Sequence, residues 1–131
     1  MKFLLDTHIW LWIHREPLRL SAVVNQSIAD PSNDLWLSPV SIWELIILIE
    51  KKRVTLREDL NKWLEKSRKE LWLREAAFSW EVAQEVSFTI LGHGDPADRF
   101  LVATARVYDL TLITADERLM RVPGLAVLPN R

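Results

Sequence analysis

The sequence lacks the features that most often mark a secreted or a membrane protein. None of its 131 residues is cysteine, which excludes disulfide bonds and thiolate metal sites. It has no run of about 18 apolar residues, the length that a membrane-spanning helix needs. Residues 1–3 lead directly into an apolar segment and then an acid, which is not the pattern of a signal peptide. We therefore expect a cytoplasmic protein without a membrane segment.

Several common catalytic motifs are missing as well. The chain has three glycines, and they form neither a glycine-rich phosphate loop nor a Gly-x-Ser-x-Gly turn. Its three histidines, His8, His14 and His93, do not have the spacing that binds a metal from one helix. The formal net charge of −1 gives no overall attraction to nucleic acid. Any polyanionic ligand must therefore be held by a local group of residues.

What is present is an alternation of short apolar strands and helices. Apolar residues make up 49% of the chain and no linker or repeat divides it, so we predict one domain over residues 1–131. Strands that alternate with helices predict an α/β fold with a parallel sheet. The apolar pattern predicts strands at 2–5, 35–37, 71–73, 110–113 and 125–128. It predicts helices at 21–29, from 39 to the basic end at 51–53, 57–69, 79–86, 96–108 and 115–120, with a further helix that begins near His8.

Seven tryptophans are many for a domain of this size. We expect most of them to fill the core, because tryptophan buries a large apolar ring. Any that are exposed, such as those in the segment from Trp10 to Trp12, could anchor a partner.

Four isolated acids lie where an apolar segment ends or where a run is otherwise apolar. Asp6 follows the first predicted strand, and Asp116 comes soon after the fourth. Glu44 and Asp98 lie in the first turns of two predicted helices. Because the carboxyl ends of parallel strands meet at one edge, we expect these four carboxylates to form one site. Buried carboxylates are costly unless a cation compensates their charge, so the pattern indicates a metal site.

The type of ligand favours a particular metal and reaction. Carboxylate oxygens alone suit Mg²⁺ or Mn²⁺ rather than Zn²⁺. Two such ions can activate water and stabilise a leaving oxygen, so the acids favour phosphodiester hydrolysis.

Each acid also has a structural interpretation. Asp6 could cap a helix, and Glu44 could face solvent on an amphipathic helix. Asp95 directly precedes Pro96, which is typical of a helix N-cap, so we expect Asp95 to support Asp98 rather than bind metal itself. Thr114 and Glu117 have the spacing of a capping box, which would leave Asp116 to serve the site.

Four segments resemble the PIN-domain nucleases, and within them the VapC-type toxins of prokaryotic toxin–antitoxin pairs. The resemblance covers the whole length, with Ala97 and Leu119 standing where relatives often carry phenylalanine. The matching segments are Leu4-Leu5-Asp6-Thr7-His8, Ser41-Ile42-Trp43-Glu44-Leu45, the stretch from His93 to Ala103, and the stretch from Leu112 to Arg118.

The resemblance implies a PIN-like three-layer fold, with a central parallel sheet flanked by helices, and a Mg²⁺- or Mn²⁺-dependent endoribonuclease. The acidic quartet of the family falls on Asp6, Glu44, Asp98 and Asp116, with Asp95 beside the site and Thr114 orienting a metal-bound water or an acid. Family behaviour also implies an RNA substrate, a homodimer and a cognate antitoxin that lies across the active groove. Exposed arginines, including Arg19, Arg99 and Arg118, could steer the RNA backbone.

Three other functions remain open on the sequence alone. A metal-independent ribonuclease could use His8 and His93 as base and acid, and its activity would survive EDTA. A catalytically idle module could bind RNA or protein without turnover. A nuclease that cuts DNA or processes structured RNA would share the chemistry without acting as a toxin.

Overall fold

A parallel β-sheet forms the centre of the computed structural model, which describes residues 1–92 and 94–131. Within these residues the sheet has five strands in the order β3-β2-β1-β4-β5. Every neighbouring pair is parallel. The strands are β1 (Lys2–Leu5), β2 (Asp34–Leu37), β3 (Arg74–Glu75), β4 (Thr111–Thr114) and β5 (Val127–Pro129).

Helices connect the strands and cover the sheet. The first six described are α1 (Thr7–Arg15), α2 (Ala22–Ala29), α3 (Pro39–Glu50), α4 (Leu60–Leu71), α5 (Trp80–Glu85) and α6 (Pro96–Tyr108). A short α7 (Glu117–Met120) and two 3-10 turns, Pro17–Arg19 and Val86–Phe88, complete the set in the described part of the chain. This arrangement confirms the α/β fold with a central parallel sheet that the sequence predicts.

Side chains of β1 alternate between the two faces of the sheet, and each face has its own core. Phe3 and Leu5 join a cluster with Ile9 and Trp10 of α1. Leu4 joins the opposite cluster, which includes several residues of α6. This period of two residues is what a strand buried on both faces requires. Together the two clusters give three layers, with the sheet in the middle.

Sequence-encoded caps fix the start of the two helices that carry Glu44 and Asp98. At α3, the Ser38 hydroxyl oxygen accepts a hydrogen bond from the backbone N–H of Val40 at 3.1 Å. At α6, a carboxylate oxygen of Asp95 accepts from the N–H of Ala97 at 3.0 Å. Each cap is followed by proline, which is favoured at the first helical position.

His14 has a structural role in a small polar network between α1 and α4. The Trp10 indole N–H donates to the Ser67 hydroxyl oxygen at 2.8 Å, and Nε2 of His14 lies 2.7 Å from the same oxygen. Because that oxygen accepts from Trp10, the Ser67 proton is available to neutral His14. Burial lowers the pKa of His14, which favours this neutral form.

The edge strand β3 differs from the sequence prediction. We predicted a strand at 71–73, but Leu71 is the last residue of α4 and Trp72 ends that helix in the left-handed region, with φ of 52°. The strand follows at Arg74 and Glu75, which are both exposed. Similarly, α4 begins at Leu60 rather than at 57, because Asp59 is its cap.

In residues 1–92 and 94–131, no helix is both long enough and apolar enough to cross a membrane.

Candidate active site

The four acids lie around the point where the chain changes direction across the sheet. From β1 the chain builds β2 and β3 on one side, and then returns to place β4 and β5 on the other. Ligand sites in open parallel sheets form at such a switch point, beyond the carboxyl ends of the strands. The backbone N–H of Asp6 donates to the carbonyl of Ile113 at 3.0 Å, which fixes the end of β1 against the end of β4.

Asp6 is buried with both carboxylate oxygens hydrogen-bonded. One oxygen accepts from the backbone N–H of Thr7 at 2.8 Å, and the other accepts from the Thr114 hydroxyl at 2.6 Å. Its side chain is the N-cap of α1, so the structural interpretation of this residue is also correct. Burial raises the pKa of Asp6 to about 6, with a further contribution from the charge of Asp98, while the Thr114 hydroxyl acts in the opposite direction.

Glu44 is held by the Thr7 hydroxyl, which the Ser41 hydroxyl contacts in turn; sequence reasoning missed both contacts. The Thr7 hydroxyl lies 2.5 Å from a carboxylate oxygen of Glu44 and 2.8 Å from the Ser41 hydroxyl. A hydroxyl has one proton, so Thr7 donates to Glu44 and accepts from Ser41. Thr7 therefore orients Asp6 through its N–H and Glu44 through its hydroxyl.

The surroundings of Glu44 are unfavourable for its charged form. Burial raises the pKa of Glu44 to about 7, and the charges of Asp6, Asp95 and Asp98 add to the effect, against the hydrogen bond from Thr7. Like charges raise the pKa of a carboxyl group only at short range, so these acids share one electrostatic site. The solvent-facing interpretation of Glu44 is wrong.

Asp98 and Asp95 occupy the places that the sequence predicts. Asp98 is the third residue of α6 and is buried, with 7% of its surface exposed. Asp95 is exposed and caps α6. Asp98 influences the pKa of both Asp6 and Glu44, whereas Asp95 influences that of Glu44.

The predicted capping box between Thr114 and Glu117 is wrong. It is Asp116, not Thr114, that caps α7, by accepting from the N–H of Arg118 at 2.9 Å. The Thr114 hydroxyl instead bonds Asp6 and accepts from the N–H of Asp116 at 3.0 Å. Glu117 forms an ion pair with Arg131 at 2.8 Å. Asp116 is therefore joined to the other acids through Thr114.

Two of the arginines expected to steer RNA have partners within the protein. Arg99 donates to the carbonyls of Val86 and Thr89, both at 2.9 Å. Arg118 binds both carboxylate oxygens of Asp116, at 2.9 and 3.2 Å. Arg99 thus fastens the segment before α6 to the helix that carries Asp98.

Of the histidines considered for catalysis, His8 is exposed and lies close enough to Asp6 that its charge lowers the pKa of that carboxyl. His93 lies outside the described residues.

These features define a site of buried, mutually repelling carboxylates at the carboxyl edge of β1 and β4. Residues 3–125 match the family model of the PIN domain. The chain belongs to the PIN-domain family.

The PIN domain described here is similar to named relatives over nearly its whole length. It is 34% identical to Ribonuclease VapC22 of Mycobacterium tuberculosis over 119 residues, which is 88% of each chain. It is therefore a homologue of a VapC ribonuclease.

Solved structures show the same fold at lower identity. VapBC2 from Rickettsia felis, bound to a DNA fragment from its promoter, matches with a TM-score of 0.74 and 18% identity over 98% of both chains. VapBC-5 of M. tuberculosis, a member of the VapBC family of toxin–antitoxin systems, matches with a TM-score of 0.60 and 15% identity over 99% of this chain and 98% of that one.

The donor set of the PIN domain fits a hard divalent cation. Asp6, Glu44 and Asp98 offer only carboxylate oxygens, the ligands that Mg²⁺ and Mn²⁺ prefer. The raised pKa values of Asp6 and Glu44 reflect a local excess of negative charge that a cation would relieve. Across 1–92 and 94–131, no group of three acidic, histidine or cysteine side chains is arranged to hold a metal by itself. An ion here would take its other ligands from water and substrate, as Mg²⁺ commonly does.

The raised pKa of Asp6 predicts that the metal-free protein is weakened at neutral pH. The folded pKa of about 6 exceeds the ordinary value of 3.8, so this group favours folding most below about pH 4. The contribution is lost as pH rises through about 6, and the ionised carboxylate then costs up to about 3 kcal/mol. In EDTA at about pH 8, Asp6→Asn should raise the free energy of unfolding by up to this amount, and the gain should vanish near pH 4.

Urea denaturation followed by circular dichroism measures this difference. Asp30→Asn is the matched control, because Asp30 is exposed and Ser32 lowers its pKa. It should not gain stability at pH 8. An Asp6→Asn protein less stable than the wild type at pH 8 would show that the charge of Asp6 is already compensated.

Proposed function

We propose that this PIN domain is a Mg²⁺- or Mn²⁺-dependent endoribonuclease that hydrolyses phosphodiester bonds of RNA. We further propose that it acts in the cytoplasm as the toxin of a toxin–antitoxin pair. The observation that carries the proposal is the group Asp6, Glu44 and Asp98, each within range of the others' charge at the switch point of the sheet. The 34% identity to Ribonuclease VapC22 favours RNA as the substrate class.

In this proposal Asp6 and Asp98 are the principal metal ligands. Both are buried, and they approach from different elements, the end of β1 and the first turn of α6. Glu44 and Asp116 complete the site and position the attacking water. Thr114 supports the site by holding Asp6, and Asp95 supports it by fixing the start of α6.

The residues of the chain divide the remaining tasks. A bound Mg²⁺ or Mn²⁺ would activate water and neutralise charge on the leaving oxygen. Glu44, with a pKa near 7 before metal binds, can hold or release a proton at its carboxylate near neutral pH. The Thr7 hydroxyl limits the orientations of that carboxylate. Arg118 forms an ion pair with Asp116. If Asp116 contacts the metal ion, Arg118 must either move away or share the Asp116 carboxylate with the ion.

The proposed toxin role is supported by a surface groove and by the VapBC structures that share the fold. A groove of about 840 Å³ lies along α4 beside Ile42 of α3. Its lining combines apolar residues, which include Leu64 and Trp72, with the polar residues Asn61, Glu65, Arg68 and Lys69. We propose that a segment of an antitoxin occupies this groove, whose wall α3 also carries Glu44. A lysine or arginine of that segment would be attracted to the acids and would compete with the metal. The VapBC structures that share the fold are consistent with such a partner.

A second copy of the chain is the other proposed partner. Large apolar side chains are exposed between residues 78 and 90, where Trp80, Phe88 and Ile90 have 87%, 76% and 88% of their surfaces accessible. Exposed apolar groups at this density mark interaction surfaces. We propose that this segment forms the homodimer interface.

Cleavage of RNA by the purified protein tests the catalytic proposal. We expect cleavage with Mg²⁺ or Mn²⁺, none in EDTA, and a loss of at least about 100-fold in Asp98→Asn, because the variant removes a charged ligand without changing side-chain size. Asp109→Asn, an exposed substitution at the opposite end of the same helix, is the control and should cut normally.

The other outcomes of this assay separate the alternatives. Activity that persists in EDTA would contradict the metal proposal and favour histidine chemistry. RNA binding without any turnover would favour an idle binding module. Cleavage of DNA in place of RNA would overturn the substrate class. If the protein cuts RNA, growth arrest on expression that a neighbouring gene product relieves would support the toxin role.

The dimer proposal is tested by the mass of the protein in solution. We expect twice the chain mass for the wild type by light scattering, and a shift to the monomer in Trp80→Glu, because a charge in an apolar interface is costly. The control variant Trp72→Glu, at an equally exposed tryptophan just after α4, should remain dimeric. A monomeric wild type would contradict this interface.

A further inference from the structure

Three planar side chains form a continuous row beside the acids. His8 and Trp12 lie one turn apart on α1, with ring centroids 6.1 Å apart and planes tilted by 36°. The guanidinium carbon of Arg19 lies 4.0 Å from the centre of the Trp12 ring. His8 is exposed, Trp12 is partly exposed, and 55% of the Arg19 side chain is accessible.

Both ends of this row are tied to the acidic site. At one end, His8 follows Asp6 by two residues and lies in the first turn of α1, the helix that Asp6 caps. At the other end, the Asn130 side-chain amide donates to the carbonyl of Arg19 at 3.0 Å. The backbone N–H of Asn130 donates to the carbonyl of Thr114 at 2.8 Å, and the Thr114 hydroxyl bonds Asp6. The row is therefore held at the same edge of the sheet as the acids.

An RNA strand needs such a surface here. The net charge of −1 and the buried acids give no attraction for phosphates. Arg99 and Arg118 already bond groups within the protein. Single-stranded RNA is commonly held by stacking its bases on aromatic rings and on arginine planes.

We propose that His8, Trp12 and Arg19 form a stacking surface for an unpaired base of the RNA next to the scissile phosphate. This inference rests on the proposed function, and it names the substrate more closely: single-stranded RNA or an unpaired loop. Stacking on π-faces is tolerant of sequence, so this surface selects unpaired bases over paired ones without reading a particular base.

The same three side chains also have a purely structural interpretation. Trp12 packs partly against the core, and Arg19 is 3.4 Å from Glu16, so the row could simply fasten the 3-10 turn onto α1. In that case substitutions would change stability and leave RNA affinity unchanged. Affinity for bases, measured separately from cleavage, therefore distinguishes the two roles.

The test measures binding of two fluorescent ligands in EDTA by anisotropy, a short oligouridylate and an abasic ribose-phosphate chain of the same length. The full chain is used as the wild type and as His8→Ala, Trp12→Leu and Arg19→Gln. Trp72→Leu is the matched control, since Trp72 is exposed and lies near residues 29–35, at the amino ends of the strands.

We expect the wild type to bind the oligouridylate more tightly than the abasic chain. His8→Ala and Trp12→Leu should each weaken oligouridylate binding by about 5- to 150-fold, the range for loss of one stacked base. They should change binding of the abasic chain little. Arg19→Gln should weaken the binding of both ligands, because it removes the planar guanidinium group and its positive charge. Trp72→Leu should bind like the wild type.

Three results would overturn the inference: a wild type that does not distinguish bases from an abasic chain, variants that bind the oligouridylate like the wild type, or equal losses for both ligands in His8→Ala and Trp12→Leu. If Trp12→Leu does not fold, the binding measured for His8→Ala decides the outcome, because His8 is exposed.

Cleavage by the wild type, with Asp98→Asn as the inactive reference, separates this inference from the proposed function. Base-dependent binding by a wild type that cuts RNA no better than Asp98→Asn would contradict the nuclease and leave the stacking surface in place. Normal cleavage by His8→Ala and Trp12→Leu at low RNA concentration would contradict the stacking surface alone.

Discussion

The mutual repulsion of buried carboxylates at the junction of β1 and β4 is the constraint on which the rest of the site depends. Asp6 and Asp98 are both buried, and the charge of Asp98 helps to raise the pKa of Asp6. A protein gains no stability from such a group by itself. The fold concentrates these charges where the chain changes direction, which is where an open parallel sheet offers a crevice for a ligand.

Hydroxyl groups make this arrangement possible. Thr114 donates to Asp6, and Thr7 donates to Glu44, while the backbone N–H of Thr7 donates to Asp6. Each bond stabilises the charged form and fixes the direction of a carboxylate, without introducing a positive charge that would compete with a cation. The stabilising core on either side of the sheet holds the acids in place, so the fold can tolerate their repulsion.

The sequence predicted features that depend on neighbouring residues, such as helix starts, and missed contacts between residues far apart in the chain. The starts of α3 and α6 are marked by the N-caps Ser38 and Asp95, each followed by proline. The positions of Glu44 and Asp98 could therefore be predicted. Local spacing gave the Thr114 hydroxyl a wrong role in a capping box, because its partner Asp6 lies 108 residues away; only the family resemblance predicted that it orients a water or an acid. The short polar strand β3 had no local signal, since only its pairing with β2 makes it a strand.

Calorimetric titration of the protein with Mn²⁺ at about pH 5.5 and about pH 8 tests the central claim most directly, because ligand carboxyl groups must lose their protons when metal binds. The account predicts tighter binding at the higher pH, release of protons at the lower one, and weak binding in Asp98→Asn at both. Binding that is equally tight at the two pH values and unaffected by Asp98→Asn would show that the buried acids do not form a cation site.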